Sequence, residues 1–365
     1  MKRFLYISLV FFLCTLLCSC SKLNSYLKQS IIPESTVYIV GSQALPEFRD
    51  LDPKQLALTE SDFAYQYAFE EDPANQFKMI EAAAKAPSTA VLVAELRSTV
   101  YASAMIECAE KAGLPLIFCG AKPADAIMER YENCWFVGFE PLLAAELQAK
   151  LVTDAFRAGE LLEQSGDYKF SGLLLAGRSG IYSHDVSYRS TLKNGIELAG
   201  IRMVEAASPV FEENTELLLG AAGQLLLPQE NIADEGTAVE SPCLPPLAQT
   251  EIFMSADLTG SHAVLALLEQ LAAAAADESL AGCATPPRRY YVCAYGIDET
   301  VAAAVSDGTF LGAVGKDSAA STAAVVTLCE NLARKEAITR NNEYYFENGK
   351  YLMLDYLVLC ADTEE

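Results

Sequence analysis

The sequence has 365 residues and a formal net charge of −23, with 49 acidic and 26 basic side chains. Nucleic acid is not an expected partner, because nucleic-acid binding depends on clustered Lys and Arg side chains. The chain is too long for one compact core, and two domains are expected. It has only two histidines, and the cysteines beyond Cys20 form no C-x-x-C pair, so no metal site is predicted.

The N-terminal residues predict an exported lipoprotein. Two basic residues precede the uncharged apolar run Phe4–Leu17, which is too short to span a bilayer and is typical of a signal peptide. The run leads into "LCSC", which resembles a bacterial lipobox with Cys20 as the lipidated residue; an ordinary secretory signal is the alternative. We expect residues 1–19 to be the signal peptide and residues 20–35 the lipidated cysteine and its tether. The protein is then expected in the bacterial periplasm, anchored to a membrane of the cell envelope.

The first half of the chain alternates apolar strands with helices. The predicted strands are Val37–Val40, Phe63–Phe69, Ala90–Ala94, Leu116–Cys119 and Trp135–Val137. The predicted helices are a short one from Asp52-Pro53, one opened by Asp72-Pro73 and running to Lys85, and Val100–Ala112. Strands that are apolar throughout and alternate with helices indicate a parallel sheet covered on both faces.

The second half repeats this pattern. The predicted strands are Gly172–Leu175, Arg202–Ala206, Ile252–Ser255, Tyr290–Ala294 and Leu311–Val314. The predicted helices are Val186–Leu198, one from Asn214–Leu219, Ser261–Ala275, Glu299–Ser306 and Ala319–Lys335. The segment 228–249 is predicted to be a surface loop, and the chain closes on a hairpin of Tyr344–Phe346 and Tyr351–Leu359 around Asn348-Gly349. Two doubly wound α/β halves imply a ligand cleft at the carboxyl ends of both sheets.

The residues that carry chemistry do not form a catalytic arrangement. No serine–histidine–acid set, metal cluster or nucleotide-binding loop stands out, so neither catalytic residues nor a cofactor is predicted, and the chain is not expected to be an enzyme. Cysteines such as Cys119, Cys293 and Cys360 lie in apolar stretches and are predicted to be small core residues. Export permits disulfides, but the cysteine spacing does not indicate which pairs would form.

Four collinear stretches carry a family resemblance. They are "QFKMIEAAAKAPSTAVLVAE", "AGLPLIFCGAKP…CWFVGFEP", "GLLLAGRSGIYSHDVSYRSTLKNGIELAG" and "YYVCAYGIDETVAAAVSDGTFLGAVGKDSAASTAAVVTLCENL" with the later "NGKYLMLDYLVL". Together they resemble type I periplasmic binding proteins, most closely the galactose/glucose-binding branch of bacterial sugar ABC-transporter substrate-binding lipoproteins. Each stretch is common by itself, whereas the ordered set is specific.

The resemblance implies the fold class and the domain boundaries. We expect an α/β protein with two doubly wound, Rossmann-like parallel-sheet domains joined by three hinge strands. The N-terminal lobe would contain residues 36–138 plus 317–345, and the C-terminal lobe residues 139–316 plus 346–365. The hinges are expected near Val137–Glu140, Gly315–Asp317 and Phe346–Tyr351.

Asp185 and Arg189 are the main candidate ligand-binding residues. By their spacing alone they could be a surface ion pair of a helix. In the family an aspartate and an arginine four residues apart begin this helix and bind sugar hydroxyls, and a carboxylate beside a guanidinium can satisfy a hydroxyl as donor and as acceptor. The resemblance also points to Asp298, which could instead cap the next helix. It points further to Phe211 as an aromatic stacked on the sugar, although packing in the core accounts for Phe211 equally well.

Other family positions are substituted in this chain. The amide and imidazole side chains of the family are replaced or shifted, which leaves the identity of the sugar open. The polar residues nearest to those positions are Glu95, Asp257, Lys316 and His184, and Phe48 falls near the aromatic residue that the family stacks on the sugar from its first domain. Glu95 and Lys316 could pair across the cleft, recognise a charged ligand, or be surface charges at its rim.

The resemblance implies a solute receptor. The protein would capture a monosaccharide, glucose or galactose in kind, by hinge closure and deliver it to an ABC permease. The alternative is a divergent sensory or structural lipoprotein on the same fold that binds a different small ligand or no sugar.

Overall fold

A computed structural model describes residues 35–41, 63–162, 169–175, 185–205, 250–275, 290–340 and 344–360. The chain divides into two compact units: unit 1 contains Met1–Phe136 and Thr322–Tyr345, and unit 2 contains Val137–Ser321 and Phe346–Glu365. Within the described ranges, no helix combines the length and the apolar character needed to cross a membrane.

The described residues form two sheets and the helices that connect their strands. The strands are β1 (Ser35–Gly41), β2 (Phe63–Phe69), β3 (Thr89–Leu96), β4 (Leu116–Gly120), β5 (Cys134–Phe139), β6 (Phe170–Leu175), β7 (Met203–Glu205), β8 (Ile252–Ser255), β9 (Tyr291–Tyr295), β10 (Gly312–Lys316), β11 (Tyr351–Leu354) and β12 (Tyr356–Cys360). The helices are α1 (Pro73–Ala84), α2 (Ala102–Ala112), α3 (Asp125–Met128), α4 (Pro141–Ala158), α5 (Asp185–Leu198), α6 (Leu258–Ala275), α7 (Glu299–Ser306) and α8 (Ser318–Ala333).

The first sheet has the strand order β11-β5-β4-β3-β1-β2, and β1 to β5 run parallel. Strand β3 lies in its interior, and the side chains of Val91–Leu96 are all buried, as expected for a strand covered on both faces. Helix α1 begins where the sequence predicts, since Asp72 Oδ1 accepts a hydrogen bond from Asn75 N at 2.9 Å and Pro73 occupies the first turn. The Asp–Pro start therefore fixes the entry of the chain into α1.

The second sheet has the order β12-β10-β9-β8-β6-β7. Strands β6 to β10 run parallel, and β12 pairs antiparallel with β10. Val292 of β9 packs in a cluster with side chains of α6 and α7, whereas the neighbouring Cys293 contacts Gln148 of α4. Because successive strand residues point to opposite faces, α6 and α7 cover one face of the sheet and α4 covers the other.

Within the described residues, the sequence predicts most elements but misses helices α3 and α4 and mispredicts the C-terminal segment. The predicted helices at Asp52-Pro53 and Asn214–Leu219 and the predicted loop 228–249 lie outside the described residues. Helix α4 was not predicted, although Pro141 at its first turn and Gly159 at its end (φ 77°) are ordinary start and stop signals. The predicted C-terminal hairpin is wrong. The segment before the Asn348-Gly349 turn keeps a single bridge, Glu347 to Tyr351, and the strand after it breaks at Asp355 into β11 and β12, which belong to different sheets.

The cysteine prediction is confirmed in part. Cys119, Cys134, Cys293 and Cys329 are buried, and all six cysteines among the described residues are free thiols. Burial raises the pKa of the Cys293 and Cys329 thiols, so both remain protonated and unreactive at neutral pH. Cys360 is exposed, because β12 lies at the edge of its sheet, and its assignment to the core is wrong.

Candidate functional site

The carboxyl edge of the second sheet is where unit 2 brings its polar side chains together. Strands β8, β9 and β10 are neighbours and parallel, so their last residues lie side by side at one edge. Helices α6, α7 and α8 each begin two to four residues later, which places three helix N-termini at this edge. Ligands of doubly wound sheets bind at such an edge, and exposed N–H groups of helix N-termini favour carboxylate or hydroxyl oxygens there.

A buried serine pair fixes the first turn of α6 to the end of β9. The hydroxyls of Ser255 and Ser261 lie 2.6 Å apart, and both residues are fully buried. Ser255 Oγ accepts a hydrogen bond from Tyr295 N at 2.8 Å, and Ser261 Oγ donates to Tyr295 O at 2.6 Å. Since buried hydroxyls are costly unless paired, this closed set of bonds holds α6 and β9 in one arrangement.

Gly296 allows the turn after β9 to lie directly on α6. Its φ is +83°, and a Cβ at this position would lie 2.9 Å from Leu258 Cβ and 3.1 Å from Leu258 Cα. Both the left-handed backbone and the close approach require glycine. The turn therefore sets the residues that follow it against the first turn of α6.

His262 and Asp298 meet across this junction. His262 Nε2 lies 2.8 Å from Asp298 Oδ2, and the two side chains are 37% and 34% exposed. Asp298 also caps α7, because its Oδ1 accepts a hydrogen bond from Val301 N at 2.9 Å. The capping role considered for Asp298 in the sequence is thus present, and the carboxylate remains partly open to solvent.

Asp257 and Asp317 occupy equivalent cap positions. Asp257 Oδ1 accepts from Gly260 N at 2.7 Å at the start of α6. Asp317 Oδ1 accepts from Ala320 N at 2.8 Å at the start of α8. Each parallel strand of this edge is therefore followed by an aspartate whose carboxylate faces a helix N-terminus.

Lys316 lies at the end of β10 beside an aromatic group. Its Nζ is 5.6 Å from the centroid of the Phe139 ring, within cation–π distance. The Phe139 ring contacts Tyr356 at 5.1 Å between centroids, and Tyr356 in turn contacts Tyr295 at 6.3 Å. The lysine stem is therefore packed against an aromatic cluster rather than extended into solvent.

Helix α5 carries Asp185 as its first residue and Arg189 one turn later. The Asp185 side chain lies outside the described part of the structure, and Arg189 is partly buried. The register of α5 is fixed by Tyr188, whose hydroxyl donates to Gln148 Oε1 of α4 at 2.5 Å. Gln148 Nε2 donates in turn to Ser255 O at 2.9 Å. Helix α5, the predicted recognition helix that carries the candidate ligand-binding residues Asp185 and Arg189, is therefore connected to the end of β8.

In unit 1 the candidate residue is Glu95, near the carboxyl end of β3. Glu95 is completely buried, so the alternative that it is a surface charge is wrong. Gln76 of α1 donates from Nε2 to Glu95 O at 3.2 Å and to Glu70 O at 2.8 Å. A Cβ on Gly41 would lie 3.0 Å from Glu95 Oε2, so glycine at the end of β1 makes room for this carboxylate.

Several predicted site residues fall outside the described residues: Cys20, Phe48, His184 and Phe211. Within the described residues, the structure shows no hydrogen bond or ion pair between Asp298 and another predicted site residue. Instead it pairs Asp298 with His262, which the sequence analysis did not single out. A usable signal existed, because β8 and β9 were both predicted and the carboxyl ends of adjacent parallel strands meet at one edge.

Unit 2 also contains a surface recess of about 450 Å³ between α4 and β12. Its walls include Leu151, Phe310 and Cys360, and Cys360 pairs with Gly312 at the amino end of β10. The recess therefore lies at the end of the sheet opposite to the His262–Asp298 pair, and it is separate from the candidate site.

The fold is similar to that of solved solute-binding proteins of bacterial ABC transporters. A periplasmic ribose ABC transporter protein from Conexibacter woesei DSM 14684 is 16% identical, with a TM-score of 0.61 over 90% of this chain and 93% of that chain. A Bacillus halodurans C-125 protein with bound myo-inositol is 14% identical, with a TM-score of 0.60 over 91% and 96%. A Clostridium phytofermentans protein with bound β-D-glucose is 11% identical, with a TM-score of 0.60 over 89% and 94%.

No protein-family model matches the sequence, and no curated protein is significantly similar to it. The likeness to the solved structures therefore establishes the architecture rather than the ligand. The chain has the fold of type I periplasmic binding proteins, and the predicted fold class is confirmed.

Proposed function

We propose that this chain is the substrate-binding protein of a bacterial sugar ABC importer and captures a monosaccharide of the glucose or galactose kind. One observation carries the proposal: a partly exposed aspartate, Asp298, stands at the carboxyl edge of a doubly wound sheet, in a fold whose solved neighbours include proteins with bound β-D-glucose and D-allose. The proposed role is binding without catalysis.

The proposed ligand contacts in unit 2 are Asp185, Arg189 and Asp298, with Asp257 and Lys316 as further polar groups. A sugar hydroxyl donates one hydrogen bond and accepts others, so carboxylates and cations in one site complement it. Phe211 and His184 are proposed contacts from the sequence resemblance. Asp298 has the clearest support, because it lies at the strand-end edge and is open to solvent on one side.

In unit 1 we propose Glu95 and Phe48 as ligand contacts. Glu95 lies near the end of β3, the position in the strand from which parallel sheets present ligand-binding groups. We propose that the lobes close on the ligand about hinges near Val137–Glu140, Gly315–Asp317 and Phe346–Tyr351. Ligand contacts would bias the closed form, as in any equilibrium between two conformations.

We propose that Cys20 is lipidated and anchors the protein to a membrane in the periplasm, next to an ABC permease. The support is the order of a basic start, a short apolar run and the "LCSC" motif. The anchor concentrates the receptor at the membrane where the permease lies.

The test is isothermal titration calorimetry of the purified protein with D-glucose, D-galactose, D-ribose, D-allose and myo-inositol. The proposal predicts saturable binding of at least one of these ligands with one site per chain. It also predicts that Asp298→Asn weakens that binding roughly tenfold or more, because a buried or half-buried hydrogen bond to a charged group is worth about 1.5–3 kcal/mol. Glu269→Gln, an exposed change on α6, is the control and leaves the affinity unchanged.

A second candidate function has a specific observation in its favour. At the end of β4 the family's amide is replaced by Cys119 and Gly120, and Glu95 beside them is a buried carboxylate. A buried carboxylate without an amide beside it accepts hydrogen bonds or pairs with a positive charge, and it does not donate. A lipoprotein of this fold that binds a cationic or other non-sugar metabolite would therefore be silent with the four sugars and myo-inositol and respond to amines in the same calorimeter.

A further inference from the structure

His262 is a polar residue of the candidate site for which the sequence resemblance gives no role. It lies in the first two turns of α6, and its partner Asp298 lies 36 positions further along the chain, at the start of α7. Their contact of 2.8 Å joins the two helices that follow neighbouring strands. The two side chains therefore meet because the sheet topology places the starts of α6 and α7 next to each other.

The chemistry of the contact assigns the proton. An ionised carboxylate only accepts hydrogen bonds, so the ring nitrogen that faces it, Nε2, carries the hydrogen and donates. In the neutral ring Nδ1 is then the nitrogen with the free lone pair. A side chain that presented an acceptor to Asp298 could not make this contact.

The two oxygens of Asp298 are held from two directions. Oδ1 accepts from Val301 N of α7 at 2.9 Å, and Oδ2 accepts from His262 of α6. Two bonds to different helices fix the rotation of the carboxylate about its side-chain bonds. Each oxygen retains a second lone pair for another donor, and the side chain keeps 34% of its surface exposed.

The framework behind the pair is rigid. Ser255, Ser261 and Tyr295 form a closed set of buried hydrogen bonds under the first turn of α6. Gly296 sets the following turn against Leu258 at a distance that no other residue type allows. His262 and Asp298 are therefore presented by two elements that are locked to each other.

We propose that His262 is a positioning residue of the ligand site, which holds the Asp298 carboxylate ready to accept a hydrogen bond from a hydroxyl of the sugar. The inference rests on the proposed function. Within that function, His262 favours ligands that can donate hydrogen bonds to Asp298. A carboxylate that is already oriented loses less side-chain freedom when the ligand binds, so the contact contributes more of its strength to affinity.

Calorimetry of three variants tests the role in binding, with D-glucose, D-galactose, D-ribose, D-allose and myo-inositol as probes. His262→Ala is expected to weaken the binding of the sugar that the wild type takes by about tenfold. His262→Gln, whose amide can donate to Asp298 Oδ2, is expected to stay within about threefold of the wild type. Glu269→Gln on the same helix is expected to change nothing, and thermal midpoints of all variants identify any that fail to fold.

Equal affinity of His262→Ala and the wild type would overturn the positioning role. Equal loss in His262→Ala and His262→Gln would overturn it too, because the imidazole would then act by shape and not by donating to Asp298.

Nuclear magnetic resonance of ¹⁵N-histidine-labelled protein without sugar tests the contact itself. The two histidines of the chain are distinguished by comparison with the His184→Ala variant. We expect the His262 ring to be protonated at Nε2 when neutral, and its Nε2 signal to shift in Asp298→Asn. If the chemical shift of His262 Nε2 is the same in Asp298→Asn as in the wild type, the inference is overturned, even when the protein binds a sugar. A shifted signal in a protein that binds none of the five probes supports the positioning of Asp298 and makes the proposed sugar specificity the part that fails.

Discussion

Tyr188 and Gln148 show how single side chains set the geometry of the predicted recognition helix. Tyr188 is 2% exposed and Gln148 is fully buried. The Gln148 amide group donates to Ser255 O at the end of β8 and to Cys293 O in the middle of β9, and its oxygen accepts from Tyr188. The position of Arg189, the next residue of α5, therefore depends on one buried amide in α4.

Tyr188→Phe is expected to destabilise the protein by about 1–3 kcal/mol, because it leaves Gln148 Oε1 buried without its donor. Urea unfolding followed by circular dichroism measures this change. Tyr345→Phe is the control, since Tyr345 is 80% exposed and its substitution is expected to be silent. Equal unfolding midpoints for Tyr188→Phe and the wild type would show that the bond contributes nothing.

Gly195 and Ala149 mark the closest approach of α5 to α4. A Cβ on Gly195 would lie 2.6 Å from Ala149 Cβ, far inside a normal contact. Gly195→Ala is expected to cost about 1–3 kcal/mol of stability despite the better helix propensity of alanine, because the two helices must separate. Adding Ala149→Gly to this variant is expected to restore part of the loss in the same unfolding assay. A double variant no more stable than Gly195→Ala would contradict the assignment of the cost to this contact.

Asp298 was predicted as a ligand contact from the family resemblance, with helix capping as the alternative, whereas His262 was missed for a physical reason. An aspartate directly before an apolar helix has a local signature, because capping and ligand binding both use the first turn of that helix. The partner of Asp298 comes from another strand–helix unit, and neither its identity nor its distance is encoded near Asp298. The contact between Gln148 and Tyr188 was also missed, because helix α4, which carries Gln148, was not predicted.

In unit 1, two tyrosines of strand β2 have buried hydroxyl groups close to helix α8. The hydroxyls of Tyr65 and Tyr67 find no hydrogen-bond partner among the described residues. Desolvation raises the pKa of both side chains, and the nearby Cys329 adds to the rise. Arg334 of the segment after α8 packs over the neighbouring Phe63 ring, 5.3 Å from its centroid.

These raised pKa values predict a loss of stability at alkaline pH. Above pH 10 the unfolded chain releases the protons of Tyr65 and Tyr67 while the folded chain keeps them, so the free energy of unfolding falls as the pH rises. The two tyrosines together are expected to account for about 1 kcal/mol by pH 11, a figure that allows for their partial exposure. Urea unfolding at pH 8 and pH 11 measures it.

The double variant Tyr65→Phe/Tyr67→Phe is the matched comparison for the alkaline effect. It removes two hydroxyls that have no partner among the described residues, so little stability is lost at pH 8. Its decline between pH 8 and pH 11 is expected to be smaller than that of the wild type, whereas Tyr345→Phe declines as the wild type does. Parallel declines for the double variant and the wild type would contradict the prediction.

The elements of the sheets were predictable because the interior strands contain runs of consecutive apolar residues, such as Ala90–Ala94 in β3 and Tyr291–Tyr295 in β9. Strand β3 and strand β9 could be assigned from composition alone. The C-terminal segment was predicted wrongly, since Tyr351–Leu359 is apolar apart from Asp355 and fits the pattern of one strand. The segment divides at Asp355 between two sheets, and this division depends on which strand edges are free to pair. The local sequence pattern does not indicate which edges those are.

The proposed membrane attachment concerns the whole molecule, and one substitution tests it. Cys20→Ala removes the thiol that lipidation requires and is expected to move the protein from the membrane fraction to the soluble periplasmic fraction. Cell fractionation followed by immunoblotting measures this, and Cys360→Ala, a change at an exposed thiol, is the control. A Cys20→Ala protein that stays with the membrane would contradict the proposed anchor.

The chain has the same architecture as solved structures although few of its residues are identical to theirs. It shares 11–16% of its residues with solved solute-binding proteins of ABC transporters and superposes on them with TM-scores of 0.60–0.61. The alternation of apolar strands and helices is enough to specify that architecture. In the proposed site, a few polar groups at the strand ends would hold the ligand, and Glu95 and Lys316 are positions at which this chain departs from the family that it resembles.

A crystal structure of the protein grown with the sugar that calorimetry selects tests the central proposal most directly. The account predicts electron density for one sugar at the carboxyl edge of the second sheet, with a hydroxyl within hydrogen-bond distance of the Asp298 carboxylate and His262 Nε2 still bonded to Oδ2. A sugar bound elsewhere, such as in the recess between α4 and β12, with Asp298 facing bulk water, would contradict it.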